Sequence, residues 1–345
     1  MPLFHIHGIA AGLFSPLLTG GSIIILPRFS AKDFWSDFIT YKANWYTAVP
    51  TVHQIMLKQP LPSPMPYIRF IRSCSSPLSP TAFAALEATF KAPVLEAYAM
   101  TEASHQMTSN PLPPAKRKPG SVGLPQSLEL QVMDDNGNEL PQGKIGEICV
   151  KGENVTLGYI GEGIASPFTA NGFLRTGDQG FKDPEGYVFL TGRIKELINK
   201  GGEKISPIEL DNTFSQHPVI AEAVSFAIDD EFYGQEVAVA VVLKPGCDLS
   251  AEDLKLWFAE RAAKFKMPKH VYFTSNMPKT ATGKVQRRLV AKAMIDQEKN
   301  DQEEISQKLA AKEASDTTVS SAQRQLPFIF TMWRSWFVGF WRLFF

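Results

Sequence analysis

The chemistry in this chain concentrates where glycine turns present charged or hydroxyl-bearing side chains. The run from Thr191-Gly-Arg193-Ile-Lys195 through Gly201-Gly202 to Asp211 packs a turn, several charges, a paired glycine and a helix start into one segment. Upstream lies Gly172-Phe-Leu-Arg-Thr-Gly177-Asp178, and downstream Pro278-Lys-Thr-Ala-Thr-Gly283-Lys284. An aspartate on a tight turn, as Asp178 is, can accept hydrogen bonds from two vicinal hydroxyls of a ribose, or cap its own backbone. The planar fork of Arg193 suits a sugar, a phosphate or a surface carboxylate. Gly201 and Gly202 permit close approach of a ligand to the backbone, or a left-handed turn. Lys284, presented by the Thr282-Gly283 turn, could bring a point charge to negative charge developing in a transition state, or stand solvated on a basic loop.

A second concentration is Glu96-Ala-Tyr98-Ala-Met-Thr101-Glu102-Ala-Ser-His105, which combines an aromatic face, a hydroxyl, a carboxylate and an imidazole. It offers stacking, phosphate contact and magnesium contact through one carboxylate plus substrate phosphate. The plainer alternative is a strand end with Glu102 capping a helix and His105 satisfied in the core. His5 and His7 flank one apolar residue and would share a face of an extended strand, where a polar pocket wall fits better than a metal site. Ser73, Ser75 and Ser76 follow a strand and precede Pro77, as turn residues do.

The elements that must position these groups read as α/β. Gly21 to Pro27 is a short fully buried strand by its apolar run, and Ala31 to Tyr41 an amphipathic helix. Tyr67 to Arg72 is strand-like, Pro80 to Phe90 helical and Val94 to Tyr98 extended. From Leu128 the texture changes to antiparallel strands with glycine turns: Leu128 to Met133, Gly146 to Val150 and Gly186 to Leu190. After Arg193 a smaller α+β unit begins. A helix opens near Pro207, strands follow at Val219 to Ala227 and Glu236 to Leu243, and Ser250-Ala-Glu-Asp253 caps another helix.

Lysine plus arginine equals aspartate plus glutamate, 35 against 35, so charge points to neither nucleic acid nor an acidic surface as partner. Three separated cysteines fit no disulfide framework or zinc spacing. The first residues lack a signal peptide's pattern, and the last three are Leu343-Phe-Phe345 rather than a Ser-Lys-Leu peroxisomal signal. A cytoplasmic location is expected, with the peroxisome as the alternative. Residues 326–345 are mostly apolar and long enough for membrane contact, although Arg334 and Arg342 would be costly in hydrocarbon.

Taken in order, the motifs resemble the adenylate-forming superfamily of acyl-CoA synthetases, firefly luciferase and nonribosomal peptide adenylation domains. Phe4-His5-Ile-His7-Gly, Arg72-Ser-Cys-Ser-Ser76, Glu96 to Gln106 and Lys195 to Ile208 are most similar to the oxalate–CoA ligase subgroup. The resemblance implies a fold built from part of a large α/β N-terminal domain with an antiparallel β subdomain, followed by a small mobile α+β domain. Its division would be 1–192 and 193–292; composition, not the resemblance, marks a polar linker 293–325 and a hydrophobic tail 326–345. It implies a monomeric ATP-dependent acid–thiol ligase that forms an acyl-adenylate and then an acyl-CoA, with oxalate as the acid and ATP, Mg2+ and CoA as its other needs.

Within that resemblance Tyr98 would stack on adenine, Thr101 contact phosphate and Glu102 bind magnesium. Asp178 and Arg193 would hold the ribose, Lys195 act as hinge, Lys284 serve adenylation, and Gly201-Gly202 face the pantetheine tunnel. His105, Ser75 and one of His5 or His7 would take the second carboxylate of the acid. Ala97 and Ala99 stand where glycine is usual. The superfamily's phosphate loop belongs upstream of His5, so a truncated, non-catalytic fragment keeping nucleotide or CoA contacts is the alternative expectation.

Overall fold

Apolar strands joined by short helical crossovers make the first sheet parallel, since a parallel partner needs such a connection. The computed structural model describes residues 1–280 and 284–324. A π-helical segment, His7–Phe14, runs into α1 (Ser15–Leu18), and α2 (Phe34–Thr40) precedes β1 (Trp45–Ala48). Helix α3 (Pro50–Leu57) leads to β2 (Phe70–Ser73), and α4 (Pro80–Phe90) to β3 (Val94–Met100). Strands β1, β2 and β3 are parallel, with Thr47 opposite Arg72 and Ser73 opposite Glu96. Strands β4 (His105–Ser109) and β5 (Leu124–Pro125) complete the sheet by antiparallel pairing. Ser79 Oγ accepts the Ala82 N–H at the start of α4, and Pro80 occupies the first turn, where no N–H is needed. Phe83, Leu86 and Phe90 of α4 then pack with Trp35, Phe38 and Ile71.

Two expectations fail here. The run Gly21 to Pro27 forms no strand and is largely exposed. A strand buried on both faces needs paired neighbours, and among the described residues none pairs with this segment. His5 and His7 do not lie on an extended strand either, because His7 opens the π-helical segment. They are joined instead by the His7 N–H donating to His5 Nδ1 at 3.1 Å.

The second sheet is antiparallel in chain order: β6 (Glu129–Met133), β7 (Gly146–Lys151), β8 (Leu174–Lys182) and β9 (Val188–Arg193). Its inward residues Leu130, Val132, Ile148, Val150, Leu174 and Val188 share a core with Tyr98 and Met107. That packing brings β8 against β3. The 3-10 turn Ile194–Glu196 then leads into a third sheet of β10 (Ile198–Lys200), β11 (Glu203–Ile205), β12 (Ile220–Asp230), β13 (Gly234–Leu243) and β14 (His270–Phe273). Alternation decides its core: Val237, Val239 and Val241 pack with Leu210 and Phe214 of α5 (Pro207–Phe214) and with Leu254 and Phe258 of α6 (Ala251–Ala259). The Phe214 and Phe258 rings stack with centroids 4.3 Å apart. The cap at Ser250 forms as its spacing predicts, the hydroxyl accepting the Asp253 N–H at 3.0 Å.

The chain divides into two compact units, Met1–Ala291 and the segment from Lys292 onward. The polar stretch from residue 293 is helical as far as Arg324, within α7 (Arg287–Arg324). The Thr282-Gly283 turn and the 326–345 tail lie outside the described residues. Among the described residues no helix is long and apolar enough to cross a membrane.

Candidate active site

Parallel strands gather ligand-binding side chains at their C-terminal ends, where loops diverge. Three such ends meet here. β1 supplies Thr47, β2 supplies Arg72 and Ser73 and runs on to Ser75, and β3 passes through the 3-10 turn Thr101–Ala103 to His105. Ser75, Ser104 and His105 all have positive φ, at 75°, 49° and 96°. Such backbone is uncommon for residues with a Cβ and clusters at functional sites.

His7 lies at the centre of this cluster with no exposure. One ring nitrogen pairs with Thr47 Oγ1 at 2.6 Å, the other with Ser75 Oγ at 3.0 Å, and the ring stacks on His105 at 5.4 Å. His5 is half-buried beside it. His105 is 3% exposed, and neither of its ring nitrogens has a partner. The structure therefore brings His5, His7, Ser75 and His105 together, with His7 already engaged at both nitrogens and His105 free at both. Thr47 and Arg72 belong to the same cluster, the arginine donating from Nη2 to Gln106 Oε1 at 2.9 Å. Sequence reasoning missed both. The available signal was an arginine at a strand's last turn, directly before the Ser73 to Ser76 segment.

Burial, reinforced by the charge of Arg72, pushes His7 down to about 2 and His105 down to about 3. Both are neutral imidazoles at pH 7. The unfolded chain takes up protons on these histidines below about pH 6.5, while the folded chain does not. Stability is therefore fully present above that pH and is lost as pH falls, by up to about 1.4 kcal/mol per pH unit for each. Urea midpoints should fall steadily from pH 6.5 to 5, and less steeply in a His105→Gln variant; an equal slope in the variant would remove His105 from this account.

A second cluster forms where β8 meets β3. Tyr98 is buried, and its hydroxyl donates to Asp178 Oδ2 at 2.5 Å. Asp178 lies opposite Arg193 across the β8–β9 pair, and Arg193 Nε reaches Asp178 Oδ1 at 3.0 Å. Burial raises the Asp178 carboxyl against the opposing pull of Arg193 and the Tyr98 bond. A carboxylate offering two oxygens to a tyrosine and an arginine is also suited to a pair of sugar hydroxyls.

Lys284 belongs to this surroundings. Its backbone pairs with Thr280, the Thr280 N–H donating to Lys284 O at 2.8 Å and the Lys284 N–H donating to Thr280 Oγ1 at 3.1 Å. Three residues on, Arg287 pairs with Glu196 Oε2 at 3.3 Å and Asp211 Oδ2 at 2.9 Å. Although Lys284 is exposed as a residue, surrounding protein lowers its pKa. Arg193 adds to that effect, while Asp178, Glu196 and Cys74 oppose it.

The remaining residues are spread around these clusters. Thr101 is exposed and Glu102 half-buried, with Tyr159 donating to Glu102 Oε1 at 2.9 Å. Among the described residues no group of three or more His, Cys, Asp or Glu side chains could hold a metal ion. Glu102 fits the other mode, one protein carboxylate completed by substrate phosphate. Lys195 is exposed in the 3-10 turn between the second and third sheets. Gly201 and Gly202 form a two-residue hairpin between Lys200 and Glu203, with φ of 58° and 92°. Positive φ at both central positions is what a type I′ turn needs, so turn geometry alone accounts for the pair.

A partly parallel α/β sheet, an antiparallel sheet and then a small α+β unit is the architecture of adenylate-forming enzymes. Family models agree. The model of AMP-binding enzymes matches residues 1–160, and that of the AMP-binding enzyme C-terminal domain matches residues 209–284. The chain belongs to the AMP-binding enzyme family. It is 55% identical over 303 residues to an oxalate–CoA ligase of Saccharomyces cerevisiae, covering 87% of this chain and 56% of that protein. An oxalate–CoA ligase of Arabidopsis thaliana is 48% identical over 304 residues, 86% of this chain and 59% of the relative. Among solved structures, ATP-bound MatB from Rhodopseudomonas palustris superposes with a TM-score of 0.80 at 32% identity, over 85% of this chain and 59% of that one. The chain spans a little over half the length of the relatives it matches.

Proposed function

We propose that the chain carries the site of an ATP-dependent acid–thiol ligase acting on oxalate. In the first half-reaction one carboxylate oxygen of the acid attacks the α-phosphorus of ATP and pyrophosphate leaves, giving an acyl-adenylate. In the second, the CoA thiolate attacks the acyl carbon and AMP leaves, giving oxalyl-CoA. Tyr98 packs against adenine, and Asp178 with Arg193 takes the ribose hydroxyls. Thr101 contacts phosphate. Glu102 would hold Mg2+, which supplies charge neutralisation on the phosphates when bound. Lys284 sets its ammonium where negative charge gathers on the reacting carboxylate and phosphate oxygens. Lys195 is the hinge on which residues 193–292 turn between the half-reactions, and Gly201-Gly202 then lies along the pantetheine path.

The observation that carries this reading is the neutral, unpartnered His105 stacked on His7, whose ring nitrogens pair with Ser75 and Thr47. These surroundings are polar, where a fatty-acid site would be apolar. An unpaired imidazole N–H can donate to a second carboxylate, and a site built to pair a polar group rejects analogues lacking it. His105→Ala should lower kcat/KM for oxalate about 30-fold through lost hydrogen bonding to a charged group. Unchanged oxalate turnover in the variant would remove His105 from the acid site.

A further inference from the structure

A buried cation carries a desolvation penalty of several kcal/mol unless a partner offsets it. Arg72 is 7% exposed. Its Nη2 donates to the neutral amide of Gln106, while Nη1 is buried without any partner. No carboxylate pairs with it among the described residues. Around it the unmet capacity continues: both ring nitrogens of His105 and the hydroxyl of Ser73 are also buried and unpartnered. Arg72 is close enough to His7 and His105 for its charge to act on both rings.

What these groups share is an ability to donate. A guanidinium donates only, a neutral imidazole donates from one nitrogen, and a serine hydroxyl can donate; an ionised carboxylate only accepts. The matching ligand is an anion, and a planar guanidinium edge is well shaped for a carboxylate. The carboxylate that reacts with ATP must lie on the Lys284 side, so a monocarboxylate would leave Arg72 unpaired.

We propose that Arg72 is the counter-ion for the non-reacting carboxylate of a short dicarboxylate, and that it sets the pocket's preference for a dianion over a monoanion of the same size. His105 donates beside it. Gln106 and the His7–Thr47–Ser75 chain hold the two in place. This rests on the acid–thiol ligase reading above.

The test uses the full chain and two acids of matched size, oxalate and oxamate, in which a neutral amide replaces one carboxylate. Calorimetric binding of each is measured for the wild type, Arg72→Met and Arg72→Lys, with ATP binding as an independent readout of the nucleotide cluster. The expectation is a wild-type preference for oxalate of about 100-fold, as for loss of a partner of a buried charge. Arg72→Met should abolish that preference with ATP affinity unchanged, and Arg72→Lys should restore part of it. Oxalate affinity within threefold of wild type in Arg72→Met, with His105→Ala still impaired, would overturn the role of Arg72 and leave the ligase reading standing. Equal wild-type affinity for the two acids would overturn it without any variant. A wild type that binds neither acid while binding ATP would instead bring down the oxalate reading, and this proposal with it.

Discussion

Replacing Lys284 by methionine is expected to slow acyl-adenylate formation by about a thousandfold, the upper range for removing one preorganised group that stabilises transition-state charge. The side chain is exposed, so folding should be little affected. Its backbone N–H and carbonyl both pair with Thr280, and its ammonium senses the charges of Asp178 and Arg193. The measurement is oxalate-dependent exchange of pyrophosphate into ATP. Transfer of the oxalyl group from supplied oxalyl-adenylate to CoA should change less than threefold, because no phosphorus centre reacts there. Exchange persisting within tenfold of wild type would show that the charge lies elsewhere.

Asp178→Ala is expected to weaken ATP binding several hundred-fold, within the range for truncating one partner of a hydrogen-bonded charge pair. Two losses combine: the ribose hydroxyls lose their acceptor, and the buried Tyr98 hydroxyl loses the partner it holds at 2.5 Å. The orphaned hydroxyl alone should cost about 1–3 kcal/mol of stability. Tyr98→Phe separates the two effects. It keeps the aromatic face and should alter ATP affinity less than fivefold. Calorimetry on both variants checks the pair, and wild-type ATP affinity in Asp178→Ala would exclude this carboxylate from the ribose site.

Local rules carried much of the fold. Helix α4 was legible over Pro80 to Phe90, and α6 from its Ser250 to Asp253 capping box, because helix signals act within a few residues. Strand β13 was legible because its valines alternate with alanines. What failed were features decided by distant partners. Gly21 to Pro27 has a strand's composition, but composition cannot supply a neighbouring strand. His5 and His7 have strand spacing, but the turn they enter is helical.

The site divides the same way. Asp178 with Arg193, and His105 with Ser75, could be picked out because each sits in a motif of unusual residue types. Arg72 opens the motif that runs to Ser76 and Thr47 belongs to none, but neither shows in sequence that it faces the histidines. Only the parallel register of β1 and β2 sets them opposite each other beneath His7. Gly201-Gly202 shows the reverse case, a conspicuous motif whose shape a tight hairpin already demands.

If the clusters of this chain together make an adenylating acid site, pyrophosphate release must depend on oxalate. The purified chain is mixed with ATP, Mg2+ and oxalate, first without CoA and then with it. The account predicts oxalate-dependent release of about one pyrophosphate per chain without CoA, and continued release with oxalyl-CoA accumulating once CoA is added. ATP bound at the Tyr98–Asp178–Arg193 cluster with no oxalate-dependent pyrophosphate under either condition would contradict it.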